Sequence, residues 1–411
     1  MLGEARTLII RAQRMWSADT GLQKNVELVV EGERISEIRS ASSTGSVTDG
    51  SVIDLMDATL VPGLIDCHVH LGVDAARMLD CLVRDSTALI AFRAADDARR
   101  CLLAGFTTLR AMEGRGGYAV ALRDAILEGY VEGPRILASG RYIQGTGGHA
   151  DMFVPSECNQ IDFGAINVNG ADEARKAVRE NVFRGADFLK LVVTGGVLSA
   201  GDEPTTIQMC KEEIEAAVEE AAAANKTVAA HAHACKGVKM SAEAGVTSIE
   251  HATYADEEAL QLMRAKGVYL VPTFLVSDEI ASRARSGELE QHTLRKTEGT
   301  HEKSLWVFKK AKEMGVKIAF GTDLCFHDSF GTNARELELM VKAGMNEAEA
   351  LTSATQTAAN CLGLQDHIGT LSEGKVADIV AFPGNPFQNI VATRQPLLVI
   401  TRGRVVLNRA A

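Results

Sequence analysis

No apolar run in this sequence approaches the ~18 residues that a membrane-spanning helix needs. The opening segment Met1-Leu2-Gly3-Glu4-Ala5-Arg6 carries an acid, and the apolar stretch Thr7 to Ile10 is too short for the core of a secretory signal. Basic charge is in deficit, with 43 Lys and Arg against 54 Asp and Glu and a net charge of −11. Phosphate binding wants a basic face, so nucleic acid is excluded as the natural partner. No C-x-x-C pair occurs among the eight cysteines (Cys67, Cys81, Cys101, Cys158, Cys210, Cys235, Cys325 and Cys361), which are too sparse for a disulfide framework. Reduced thiols in a cytoplasmic protein, with no membrane partner, are the expectation. No glycine-rich G-x-G-x-x-G turn follows the first strand of the middle region, which argues against a doubly wound dinucleotide-binding sheet. Gly114-Arg115-Gly116-Gly117 is only an echo of it and reads as a loop.

What remains is an ordinary globular composition, 46% hydrophobic and 24% charged, in 411 residues. That length exceeds one common core unless part of the chain is a barrel. Both ends read as strands. Thr7–Ile10, Val26–Val30 and the alternating Arg34–Ile38 open the chain, and Asp378–Phe382, Leu397–Ile400 and Arg404–Leu407 close it. One small β-sandwich domain built from both termini, 1–60 plus 367–411, is predicted, with no Ser/Gly linker to set it apart.

The middle alternates. Apolar runs at Leu64–His70, Phe106–Met112, Arg135–Gly140, Asp187–Thr194, Thr227–His233, Thr247–Thr253, Tyr269–Leu275 and Lys317–Asp323 are mostly separated by helical patterns such as Asp172–Phe183, Lys211–Asn225 and Glu257–Lys266. About eight βα units of nearly continuous apolar strands predict an α/β fold, a (β/α)8 TIM barrel over 61–366.

Histidines gather where a barrel keeps its chemistry. His68, His70, His149, His231, His233 and His251 all fall at or just past the C-terminal ends of predicted strands. His68 and His70 stand two apart on a strand, so both imidazoles point to the same side and can reach one metal ion. Lys190 lies inside the apolar run Asp187–Val193, where an uncompensated ammonium is costly. It reads as a Schiff-base nucleophile, as a side chain escaping to the barrel edge, or as a lysine carboxylated by carbon dioxide that bridges two cations. For His231 and His233, one imidazole can ligate while the other serves the substrate. Asp323, in Gly321-Thr322-Asp323, is either a loop or N-cap aspartate or a ligand that also takes a proton from water.

Taken together, Pro62-Gly63-Leu64-Ile65-Asp66-Cys67-His68-Val69-His70, the strand lysine, the two later histidines and Gly-Thr-Asp resemble the amidohydrolase superfamily over essentially the whole chain. Thr194-Gly195-Gly196-Val197-Leu198-Ser199, Gly147-Gly148-His149-Ala150-Asp151 and Val271-Pro272-Thr273 look like its metal-dependent dipeptidase and carboxypeptidase branch. That branch includes prolidases, lysine/arginine carboxypeptidases and amidases that cleave ochratoxin. The resemblance implies two divalent ions, zinc being expected. His68, His70 and Asp323 hold one, His231 and His251 hold the other, and N6-carboxylated Lys190 bridges them. Asp323 then moves the proton from water to the leaving amine, and His149 meets the tetrahedral oxyanion. His233 stands where prolidases carry a tyrosine for the substrate α-carboxylate.

The implied activity is hydrolysis of a small-molecule amide, a dipeptide or N-acyl L-amino acid with a free carboxylate, ochratoxin A included. A lysine/arginine carboxypeptidase or a prolidase is the alternative, and an imidazolonepropionase-like cyclic amidase a more distant one. Imidazolonepropionases and adenosine-deaminase-like enzymes use one metal, and Lys190 argues against both. A homo-oligomer, an octamer, is also implied. For the substrate side chain, Val197, Leu198, Leu324, Cys325 and Phe326 offer an apolar wall, whereas Asp278 reads as a partner for a guanidinium or as a helix N-cap. The N-cap and an apolar pocket are preferred.

Overall fold

The computed structural model describes residues 7–41, 50–112, 115–151 and 164–409. The opening hexapeptide, Gly114 and Cys158 lie outside the described residues. The chain separates into two compact units. One comprises 1–66, 99–108 and 331–411, the other 67–98 and 109–330.

In the first unit both chain ends supply one seven-stranded sheet. Its strands are β1 (Thr7–Ser17), β2 (Gly21–Glu31), β3 (Arg34–Ser40) and β4 (Gly50–Pro62), with three more from the C-terminal end given below. Gly32, at φ 59, makes the tight turn between β2 and β3 at no steric cost. Apolar residues at every second position fill one face: Val26, Leu28 and Val30 on β2, with Ile379, Ala381, Leu398 and Ile400 from the C-terminal strands.

The remaining strands, in chain order, are β5 (Leu64–Val69), β6 (Phe106–Ala111), β7 (Arg135–Ala138), β8 (Tyr142–Gly145), β9 (Ala165–Val168), β10 (Leu189–Val192), β11 (Val228–Ala232), β12 (Ser248–His251) and β13 (Tyr269–Val271). They are followed by β14 (Ile379–Pro383), β15 (Leu398–Thr401) and β16 (Arg404–Asn408). The terminal sheet has the order β16-β15-β14-β4-β1-β2-β3. A second sheet runs β13-β12-β11-β10-β8-β9, and a third runs β5-β6-β7. All pairs of the six-stranded sheet are parallel. Strands β10, β11 and β12 are buried along their whole length, as a parallel sheet covered on both faces requires.

The helices between them start and stop as capping chemistry dictates. The helix Glu257–Lys266 begins where Asp256 accepts the Ala259 N–H and ends at left-handed Gly267. The helix Lys211–Ala223 begins where Glu213 folds back onto the Cys210 N–H. No helix among the described residues is long and apolar enough to cross a membrane.

Two predicted strands differ from expectation. The third ends at Ala138, and a strand not predicted, β8, follows the turn at Gly140, whose φ of 70 leaves the extended region. The predicted eighth strand, Lys317–Asp323, forms no regular strand: it makes one isolated bridge, Leu270 to Ile318, and a second, Val69 to Leu324, falls just past its end. Asp323 is the reason at its end: with φ 57 it leaves the extended conformation. The segment still bonds on both sides, since Leu270 N–H donates to Lys317 O and Cys67 N–H to Phe320 O. Gly321 permits this close approach, because a Cβ there would lie 2.4 Å from Val271 Cγ1.

Candidate metal centre and substrate cavity

Period-two geometry on β5 puts His68 and His70 on one side, their Nε2 atoms 3.3 Å apart. Asp323 meets both, with Oδ1 at 3.2 Å from His68 Nε2 and 2.9 Å from His70 Nε2. A second group forms at the ends of β11 and β12, where His251 Nε2 lies 3.1 Å from His231 Nδ1. The His68 and His251 rings, 5.5 Å apart, join the two groups. Lys190 on β10 is buried and lines the same cavity as all five of these residues.

Each histidine is aimed by a bond on its other nitrogen. His68 Nδ1 meets Glu250 Oε2 at 2.8 Å, His70 Nδ1 meets Tyr142 Oη at 3.0 Å, His231 Nε2 meets Gly195 O at 3.1 Å, and His251 Nδ1 meets Thr273 Oγ1 at 2.7 Å. Such bonds fix the tautomer and leave one lone pair per ring for a cation. The electrostatics agree. Burial, then mutual repulsion with His233, drives His231 and His251 well below the usual histidine value, so both are neutral donors. Burial alone would raise the Asp323 carboxyl, but His68 and His70 outweigh it and hold it well below the carboxylate range. Burial pushes the Lys190 amine down to about 8, against the pull of Glu250 and Asp323. Neutral imidazoles, an ionised carboxylate and an amine that readily loses its proton form a donor set that fits divalent cations.

His233 is drawn into the second group. Its ring stacks on His251 with centroids 4.6 Å apart, and its Nδ1 meets Thr253 Oγ1 at 2.8 Å. Burial, with repulsion from His149, takes it down to about 3, so it too is neutral. His149 stacks on His231 at 5.1 Å. Val197 and Leu198 line the cavity with Val73, Met78, Val276 and Ile280. The cavity holds about 1230 Å³ of empty space, its opening included.

Three predicted pocket residues are elsewhere: of the apolar wall, Cys325 lines the cavity but Leu324 is fully buried outside it. Asp278 is exposed and sits inside the helix Phe274–Ser286, whose N-cap position belongs to Thr273. The helix begins at Phe274, directly after Thr273, so Asp278 falls in its second turn and neither caps the helix nor lines the cavity. Phe326 is fully buried behind the wall, packed with Val276, Ile280 and Cys325, and the Arg283 guanidinium lies 4.3 Å over its ring.

Residues not anticipated from sequence lie beneath and beside the site. Arg110 is fully buried on β6, with Nη2 3.0 Å from Glu250 Oε1 and Nε 2.6 Å from Cys67 O. A charged residue inside the apolar run Phe106–Met112 was the available signal, the same one that exposed Lys190. Tyr142, Thr273, Ser199, Asp202 and Lys296 had no comparable mark.

Comparison with known proteins places this arrangement. Residues 59–406 match the sequence family described as the amidohydrolase family. Ochratoxinase of Aspergillus niger is 33% identical over 430 residues, spanning 96% of this chain and 85% of that protein. A crystal structure of a Xaa-Pro dipeptidase with methionine bound in its active site superposes with a TM-score of 0.91 at 35% identity, covering 98% of this chain and 100% of the other. A prolidase complexed with N-methylphosphonate-L-proline gives 0.88 at 30% identity, covering 98% and 100%.

Proposed function

The chain belongs to the amidohydrolase family and is a hydrolase acting on amide bonds; from that premise we propose a binuclear metal-dependent enzyme for dipeptides or N-acyl L-amino acids with a free C-terminal carboxylate. Aromatic amides such as ochratoxin A fall within this class, a choice supported by the likeness to ochratoxinase. The observation that carries the reading is the meeting of two convergent donor groups and a buried lysine in one apolar-walled cavity. The proposed architecture is a (β/α)8 barrel over 61–366 with a composite β-sandwich of 1–60 plus 367–411.

His68, His70 and Asp323 would hold one ion, His231 and His251 the other, and Lys190, carboxylated on Nζ, would serve both. When bound, such ions polarise a scissile carbonyl and lower the pKa of the attacking water. The rest falls to the chain. Asp323 takes the proton as water oxygen bonds to the carbonyl carbon, then hands it to the nitrogen as the C–N bond breaks, so that the amine leaves neutral. His233 is assigned to the substrate carboxylate and His149 to the scissile group. Val73, Met78, Val197, Leu198, Val276 and Ile280 take an apolar side chain and exclude water from it.

Prolidase activity is the second reading, favoured by the two structures of that kind. A preference for arginine or lysine loses its residue, since Asp278 faces outward. Asp278→Asn is therefore expected to leave kcat/KM for N-acyl-phenylalanine and N-acyl-arginine unchanged, with phenylalanine preferred. An arginine preference that collapses in the variant would reverse this assignment.

Elemental analysis of active protein, joined to a screen of dipeptides and N-acyl amino acids varied at the C-terminal residue, tests the whole reading. Two ions per chain and turnover of free-carboxylate amides are expected; one ion or none in active protein would sink it. Lys190 supplies a pH signature. Only the neutral amine attacks carbon dioxide, and its fraction grows as pH rises through about 8. Re-carboxylation of metal-free protein at a fixed concentration of dissolved 13CO2 should therefore speed up across that range, and Lys190→Ala should lose the carbamate carbon signal. A signal surviving in the variant would place the carbamate elsewhere.

A further inference from the structure

Beside the metal-facing histidines, His149 is held by a closed ring of hydrogen bonds. Its backbone N–H donates to Gln208 Oε1 at 2.8 Å. Gln208 Nε2 donates to Asp202 Oδ2 at 2.7 Å. Asp202 Oδ1 meets the Ser199 hydroxyl, and Ser199 Oγ meets His149 Nδ1 at 2.6 Å. Behind the ring, the fully buried Lys296 ammonium bonds Ser199 O at 2.6 Å, Gly196 O at 3.0 Å and Asp202 Oδ1 at 3.3 Å. Two glycines keep the space open. A Cβ on Gly196 would lie 2.3 Å from the His149 ring, and one on Gly195 would lie 2.8 Å from Asp202 Oδ2.

Proton counting then decides the tautomer. Asp202 is the carboxylate that balances the buried Lys296 ammonium, and a carboxylate only accepts. The single hydroxyl proton of Ser199 is therefore committed to Asp202. Ser199 Oγ can meet His149 Nδ1 only as an acceptor, so the proton on that ring nitrogen is the one shared with Ser199.

We propose that Ser199 and Asp202 are positioning residues for His149: they commit its Nδ1–H to Ser199 Oγ and turn an unprotonated Nε2 toward the substrate. Lys296 fixes the carboxylate and the loop carbonyls on which the arrangement depends. An acceptor at Nε2 suits the N–H of a scissile amide, or the proton travelling to its nitrogen, rather than the tetrahedral oxyanion. The tautomer stands on the hydrogen-bond geometry alone; its kinetic consequence rests on the amide-hydrolase reading above.

Histidine-15N NMR of the zinc-loaded protein reads the tautomer directly, with the His149 signals identified by their loss in His149→Asn. The Nδ1–H form is expected in the wild type. In Ser199→Ala the orienting acceptor is gone, so the Nε2–H form should appear. Its kcat should fall about tenfold or more, as happens when an orienting partner no longer sets a catalytic imidazole. KM and metal content should stay at wild-type values. Ser199→Thr keeps the hydroxyl and should restore both tautomer and kcat, which loss of packing alone would not allow. An Nε2–H ring in the wild type, or a Ser199→Ala variant with unchanged tautomer and kcat, would overturn the proposal. If no amide is turned over by the wild type, the amide-hydrolase reading fails, and the NMR result still decides the tautomer.

Discussion

Asp323→Asn is expected to lower kcat by about 10²–10⁴-fold, the range supplied by a well-placed general base. Its Oδ1 is the atom on which His68 and His70 converge, at 3.2 and 2.9 Å, and its carboxyl stays ionised far into acid because the two imidazoles outweigh the cost of its burial. An amide of the same shape offers the imidazoles an oxygen but has no basic site to take the water proton. The comparison is made on variant protein shown by elemental analysis to hold the wild-type ion content, so that lost ligation is separated from lost proton transfer. Near-normal turnover in such protein would remove Asp323 from the proton path. A loss confined to KM would make it a binding group instead.

Arg110→Met is expected to cost about 3–5 kcal/mol of stability, the penalty for leaving one member of a buried ion pair uncompensated. Arg110 and Glu250 are both fully buried, and Glu250 is also bonded to Ser248 Oγ at 2.6 Å and His68 Nδ1 at 2.8 Å. Removing the guanidinium leaves a carboxylate in the interior with too few donors. The double variant Arg110→Met/Glu250→Gln should recover part of the loss, because no bare charge remains. Burial alone would raise the Glu250 carboxyl, but Arg110 and His68 hold it below the usual range. The stabilisation is thus complete above the unfolded carboxylate pKa and fades as pH falls through the lower folded value. The wild-type advantage over Arg110→Met should therefore narrow in acid. Denaturant unfolding measures it, and a loss under about 1 kcal/mol near neutral pH would contradict the ion-pair account.

Local pattern made some of this legible beforehand and could not reach the rest. His68 and His70 announced themselves because period-two spacing on an apolar strand leaves few other uses for two imidazoles. Lys190 was visible because an ammonium in a buried run needs an explanation. At the ends of the chain, β2 carries a short apolar run and β3 alternates, whereas β4 is interrupted by Asp54 and Asp57 and carries no such signal. Strands β8 and β9 are four residues each, too short for a periodicity to show. Glu250 adjoins His251, yet its bond to His68, 182 positions earlier, exists only in three dimensions. The same holds for Lys296 and Asp202, 94 positions apart. Asp278 is the opposite case: an aspartate before a glutamate has the pattern of a helix start, but the helix already begins one turn earlier, at Phe274.

The left-handed backbone at the ends of the strands has a consequence for any attempt to harden this protein. His251, Ala252, Thr273 and Asp323 have φ of 70, 48, 53 and 57. Non-glycine residues adopt that region at a cost of roughly 1–2 kcal/mol each. These four positions therefore hold conformational energy that the surrounding fold has to sustain. Glycine at Ala252 would release some of it, the reverse of what the same exchange does inside a helix or strand. Selection for thermal resistance would thus be rewarded at the rim of the cavity, where the backbone aims the two histidine groups. Variants recovered that way should trade catalytic aim for heat tolerance, while the helices on the outside offer gains without that exchange.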